Sequence, residues 1–162
     1  MPINQAFEPY STLYTENQIL KCDERGKTFY LKTQNTCFAR VKIDCGVEQN
    51  TQNSKCDYLV IKQGIEDIEI FIELKGKQIQ DGAEQLIATY NQYATKTDSI
   101  KHYPVIVSSP IKNKKKRTPK TKTTTHKIKA ELAQVFKNVL ITNENIVKTR
   151  YNPDKNTIEK IN

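Results

Sequence analysis

Three residues stand where folding alone would not put them. Asp57 opens the otherwise apolar run Cys56-Asp57-Tyr58-Leu59-Val60-Ile61, and Glu73 and Lys75 close the run Ile68-Glu69-Ile70-Phe71-Ile72-Glu73-Leu74-Lys75. Residues two apart on a strand share a face, so Glu73 and Lys75 project side by side, with about 7 Å between their backbones. If the two runs pair antiparallel through a turn at Gly64 to Glu66, Asp57 comes opposite the Glu73 end and three charged groups meet at one edge of a sheet. Such a group suits phosphodiester hydrolysis. Hard carboxylate oxygens favour Mg²⁺, with Mn²⁺ as an alternative, and a cation of that kind activates water and polarises a phosphoryl oxygen. An ammonium beside two carboxylates is favoured in its charged form, so an electrostatic role is expected for Lys75 rather than that of a general base. The competing reading is an exposed salt-bridge group, worth about 0.2–1 kcal/mol. An aspartate at the head of a buried-looking strand argues against it.

The elements that must position these residues follow from periodicity. Thr28-Phe29-Tyr30-Leu31 and Cys37 to Asp44 are rich in β-formers and flank a turn-like Thr33-Gln34-Asn35-Thr36, which predicts a hairpin. Val41 and Ile43 alternate with Lys42 and Asp44, as on a half-buried strand. Asp44 is a secondary site candidate on that strand, with turn chemistry before Cys45-Gly46 as the alternative. After Lys75 the period becomes helical, with Ile79, Ala83, Leu86, Ile87, Tyr90 and Ala94 predicting a helix over about 78 to 96. Tyr103 to Ser109 lacks alternation and suits a strand buried on both faces. A helix over Lys127 to Lys137, strands at Val139 to Thr142 and Ile146 to Tyr151, and a loose final ten residues complete the chain. At the start, a short helix around Tyr10 to Leu20 is expected, with Ser11 or Thr15 as its cap. The fold class is α/β, a mixed central β-sheet flanked by helices in one domain spanning 1–162, with its core at about 28–151.

In that setting, Cys56-Asp57 and Phe71-Ile72-Glu73-Leu74-Lys75-Gly76, with fifteen residues between the acids and one between Glu73 and Lys75, resemble the signature of the PD-(D/E)XK nuclease superfamily. The resemblance covers about residues 37 to 109. It implies a restriction endonuclease-like fold, Mg²⁺ ligation by Asp57, Glu73 and the backbone carbonyl of Leu74, and Lys75 as the catalytic lysine. Members often add an acid from the first helix, for which Glu16 and Glu24 are the candidates here. Several use a glutamine or tyrosine from the helix after the motif; of Gln78, Gln85 and Tyr90, Gln85 is preferred, against the plainer reading of a solvated helix residue. The chain departs from the signature in carrying Cys56 where proline is usual.

The formal charge of +8 is local. Ten of the 26 lysines and arginines lie between Ser99 and Ala130 with no acidic residue among them, so the rest of the chain is slightly acidic. The densest part, Lys112, Lys114, Lys115, Lys116, Arg117, Lys120 and Lys122, is expected to form a mobile basic arm over about 110–127 that binds nucleic acid, DNA above all, through its phosphates. Arg40 and Lys42 are further candidates for phosphate contact. The bland alternative is a solvated basic loop without a partner. His126 is expected to have a structural or solvent role. No apolar stretch is long enough to span a membrane and Met1 to Tyr10 lacks a signal-peptide pattern, so no membrane partner and a cytoplasmic location are expected. The four cysteines show no CxxC pair and are expected to be reduced and packed, with a zinc site second. The function expected is thus a Mg²⁺-dependent DNA endonuclease and possible homodimer: an enzyme cutting two strands would act as a symmetric dimer, whereas a nicking or repair subunit need not. The alternatives are a nuclease fold that has lost catalysis but binds nucleic acid, and an RNA-binding or ribosome-associated basic protein, which the charge supports but which lacks the exposed aromatic motif that single-strand readers use for stacking.

Overall fold

The computed structural model describes residues 4–50, 52–65, 67–75, 78–110, 119–142 and 144–162. Among the described residues the chain forms two β-sheets and two α-helices. In chain order these are β1 (Ser11–Tyr14), β2 (Ile19–Glu24), β3 (Lys27–Lys32), β4 (Phe38–Lys42), β5 (Tyr58–Lys62), β6 (Ile68–Lys75), α1 (Ile79–Tyr93), β7 (Lys101–Ser108), α2 (Pro119–Val135), β8 (Leu140–Thr142), β9 (Ile146–Asn152) and β10 (Thr157–Lys160).

The larger sheet is mixed, in the order β1-β4-β5-β6-β7-β8. β4, β5 and β6 are antiparallel neighbours, and α1 carries the chain back so that β7 lies parallel to β6. Alternation along β6 divides its side chains between two cores, and both are closed to solvent. Ile68, Ile70, Ile72 and Leu74 face a core shared with the second sheet, β10-β9-β3-β2, where Leu20, Cys22, Phe29, Leu31, Val147 and Tyr151 are buried. Phe71 faces the other core, where Ala83 and Leu86 of α1 and Ile128, Leu132 and Phe136 at the foot of α2 pack. The helices therefore flank one face of the mixed sheet, and a second sheet covers the other. No described helix is long and apolar enough to cross a membrane.

Three expectations are corrected. The hairpin over 28–44 does not form: β3 pairs with β2 and β9, whereas β4 pairs with β1 and β5. The chain crosses between sheets at Thr33, a fully buried threonine whose hydroxyl lies 2.9 Å from the carbonyl oxygens of both Thr15 and Gln18 and shares its one proton between them. β2 and β3 are instead joined through Arg25 and Gly26, both at positive φ (47° and 77°), the geometry of a tight hairpin turn whose twist matches the strands. The helix expected over Tyr10 to Leu20 is replaced by a 3-10 turn, Glu8–Tyr10, followed by β1 and the start of β2, because both segments serve as sheet edges. The final residues are not loose: β10 pairs antiparallel with β9. They are also clasped to the far end of β5, where Lys62 Nζ donates to Asn156 Oδ1 and Asp67 Oδ1, each at 2.9 Å.

Candidate metal and active site

β5 and β6 pair antiparallel as their sequences require, with Tyr58 opposite Ile72, which sets Asp57 opposite Glu73 just beyond the ladder. Two hydrogen bonds lock this end. Asp57 N–H donates to the Ile72 carbonyl at 3.1 Å, and Leu74 N–H donates to Asp57 Oδ2 at 2.7 Å. The N–H and C=O of one strand residue leave the same edge, so the Leu74 carbonyl is directed to the Asp57 side as well.

α1 closes over this end. Gly82, in the helix interior, lets the backbone approach Glu73: a Cβ added there would lie 3.3 Å from Glu73 Cγ. Glu73 is 3% exposed, and among the described residues its Oε2 has no hydrogen-bond partner. Lys75 Nζ lies 3.8 Å from Glu73 Oε1 and donates to Gln85 Oε1 at 3.0 Å. One turn further along α1, Thr89 Oγ1 accepts from Cys56 N–H at 2.7 Å and donates to the Gln85 carbonyl at 2.8 Å, tying the helix to the chain immediately before Asp57. Asp57, Glu73, Lys75 and Gln85 thus occupy one neighbourhood.

Two more carboxylates join them. Glu24, the last residue of β2, and Asp44, just past β4, each offer an oxygen that lies, with one of Asp57, in a group whose members are within 4.8 Å of one another. Glu24 comes from a strand of the second sheet and not from a helix, so the cluster stands where the two sheets end together. Glu16, the other candidate acid, is exposed in the β1–β2 connection. Three lysines ring the acids: Lys42 Nζ is 2.9 Å from Glu24 Oε2, Lys55 Nζ 3.6 Å from Asp44 Oδ1, and Lys75 serves Glu73. Among the described residues no lysine lies within ion-pair distance of Asp57.

Protonation follows from this imbalance. Burial, opposed by the Leu74 N–H and reinforced by Glu24, raises the Asp57 carboxyl to about 7. Burial and then the charge of Asp57 raise Glu73 to about 9, against the pull of Lys75. Burial also works against Glu24, yet its hydrogen bond to Lys42 leaves it below the usual carboxylate range. Protons in the cluster therefore belong on Glu73 first and on Asp57 next, rather than on Glu24. The donor set is all oxygen, short of positive charge and equipped with an unpartnered buried oxygen. It fits a hard divalent cation.

The same shifts set a stability trend. Both acids bind a proton more tightly folded than unfolded, so the stability they contribute is whole below about pH 4 and is lost as the pH climbs through 7 for Asp57 and 9 for Glu73. Without divalent cations the melting temperature should fall between about pH 5 and pH 9. Thermal unfolding in a chelator series checks this, and Mg²⁺ should restore the loss at the alkaline end. A melting temperature that rises across the same range would contradict the assignment.

Arg40 is engaged with Thr12 Oγ1 and the Lys21 carbonyl and stands 5.5 Å from the centroid of Tyr14, while Lys42 is held by Glu24. Both side chains thus have partners within the chain. Lys112, Lys114, Lys115, Lys116 and Arg117 lie outside the described residues, as do Glu66 of the turn and Gly76 of the motif. Lys120 and Lys122 belong to α2, which begins at Pro119, and so are not part of a loose arm. Tyr90 packs with Phe71, His102 and Phe136, away from the acids, and Gln78 precedes α1. His126 is exposed. All four cysteines are free; burial pushes the Cys22 and Cys56 thiols up, as suits packed, unreactive groups. The residues that sequence reasoning passed over are Lys55, Thr89 and Gly82. Only Gly82 carries a signal, since glycine inside a helix costs stability and calls for a packing reason. Compared with protein-family models, with characterised proteins and with solved structures, the chain matches none.

Proposed function

We propose that this chain is a divalent-metal-dependent nuclease of the PD-(D/E)XK kind, with DNA as its favoured substrate and Mg²⁺ or Mn²⁺ as its cofactor. One observation carries the reading: at the shared end of β5 and β6, Asp57 and the buried Glu73 carboxyl, one of whose oxygens has no hydrogen-bond partner among the described residues, lie beside Lys75, whose ammonium is aimed by Gln85. A mixed sheet with helices packed on one face supports this reading at the level of the α/β fold class.

Asp57, Glu73 and the Leu74 carbonyl would hold the cation, with Glu24 as an added ligand. When bound, the cation supplies Lewis acidity toward the phosphoryl oxygen and lowers the pKa of water. Lys75 then sets a fixed positive charge where negative charge develops on the phosphate, with no reorganisation needed because Gln85 already holds it. Asp57, once ionised, balances that charge and fixes the β5–β6 end through the Leu74 N–H. The basic segment around Lys112 to Lys122 adds phosphate affinity without sequence choice.

The test is incubation with supercoiled plasmid, linear duplex, branched DNA and RNA in Mg²⁺, Mn²⁺ or EDTA. Cleavage in either metal and none in EDTA is the expected result. Salt-sensitive binding without cleavage under every metal condition would replace it with the reading of a catalytically inactive nucleic-acid-binding protein.

A further inference from the structure

Lys42 sits among the carboxylates as an ion would. Its Nζ lies 2.9 Å from Glu24 Oε2 and 4.2 Å from the centroid of the Tyr58 ring, so it is gripped by a carboxylate on one side and a π face on the other. The grip is itself supported. Tyr58 donates its hydroxyl proton to the carbonyl of Asp23, the residue before Glu24, at 3.1 Å. Arg40, on the same strand as Lys42, stands 5.7 Å from the Tyr58 centroid and is pinned by the Lys21 carbonyl and Thr12 Oγ1. Ring, carboxylate and ammonium are therefore held in register across two sheets. A lysine thrown out merely to be solvated would need none of this.

The acids that Lys42 neutralises are those a divalent ion would use. Glu24, Asp44 and Asp57 present oxygens within 4.8 Å of one another, and the Glu73 carboxyl beside Asp57 is 3% exposed with an unpartnered oxygen. An ion bridging Glu24 and Asp57 would lie within a few ångströms of the Lys42 ammonium. Like charges at that separation in a partly buried setting repel strongly. The ammonium and the ion also compete for the lone pairs of a single carboxylate.

We propose that Lys42 is a tethered counter-cation of the acid cluster, which competes with the divalent ion for Glu24 and thereby sets how tightly that ion is held. The inference rests on the metal-site reading above. Lys42 is on this account a positioning residue: it keeps Glu24 ionised and in place in the free protein, and it gives way when the ion arrives.

The experiment is calorimetric titration of the metal-stripped full chain with Mn²⁺, alongside the rise in melting temperature that Mn²⁺ produces. Lys42→Met, which keeps the aliphatic stem over Tyr58 and removes the charge, should bind Mn²⁺ about tenfold tighter or more. Lys42→Arg should bind no tighter than the parent. Glu24→Gln added to Lys42→Met should cancel the gain, because the freed ligand is then lost. Should Lys42→Met fail to fold, Lys42→Gln keeps a donor toward Glu24 without the charge and carries the same expectation. Unchanged or weaker binding in the uncharged variant overturns the competition. If that occurs while Mn²⁺ binding by the parent disappears in Asp57→Asn, the metal site stands and only the lysine inference falls. If the parent shows no Mn²⁺ binding dependent on Asp57, both fall.

Discussion

In the Asp57→Asn variant, metal-dependent cleavage should drop by about 10³-fold or more, equivalent to about 4 kcal/mol of lost transition-state stabilisation at 1.36 kcal/mol per decade. The fold should survive the change. The side-chain carbonyl of the new amide can still accept the Leu74 N–H that Asp57 accepts at 2.7 Å, and an amide resembles the neutral form that burial already favours at this position. The melting temperature in chelator at pH 8 should therefore hold or rise, since a buried charge without an ion-paired lysine has been removed. Cleavage assays and thermal unfolding on the same preparation separate the two effects. Lost activity together with a lower melting temperature at pH 8 would reduce Asp57 to a structural residue.

Lys75→Met is expected to lower kcat by about 10² to 10³-fold, the range found when one preorganised charge-stabilising donor is removed, with little change in KM. The reason lies in placement. Lys75 is two residues beyond Glu73 on β6, and its ammonium is already fixed by the Gln85 side chain, so its contribution is made where charge develops and not in holding the substrate. Steady-state kinetics on a short duplex distinguishes this from the alternative, in which KM rises and kcat does not. Such a result would assign Lys75 to ground-state binding of phosphate.

Local patterning made most of this site readable. The period-two alternation of β6 set Glu73 and Lys75 on one face, the apolar run after Asp57 and the glycine turn predicted the antiparallel pairing, and the helical spacing of Ile79, Ala83 and Leu86 located α1. Gln85 came within reach of Lys75 because α1 must lie across the end of β6. Partners distant in sequence were not readable. Thr28 to Leu31 have strand propensity, but nothing local tells them to pair with Ile146 to Asn152 rather than with β4, the next strand in the chain. Glu24 reaches the acids only because β2 belongs to the second sheet and ends where β5 begins. Ser11 to Tyr14 and Thr157 to Lys160 are edge strands of mixed exposure, so burial never imprinted a strong period on them.

The parallel ladder between Lys27–Lys32 and Ile146–Asn152 has a consequence for biosynthesis. A lone two-stranded ribbon is marginal in water. Among the described residues, the β2–β3 ribbon that bears Glu24 gains its other lateral neighbour from a segment translated long after it. Until that segment leaves the ribosomal exit tunnel, a nascent chain already holding Asp57, Glu73 and Lys75 lacks the strand that braces the ribbon carrying Glu24 toward them.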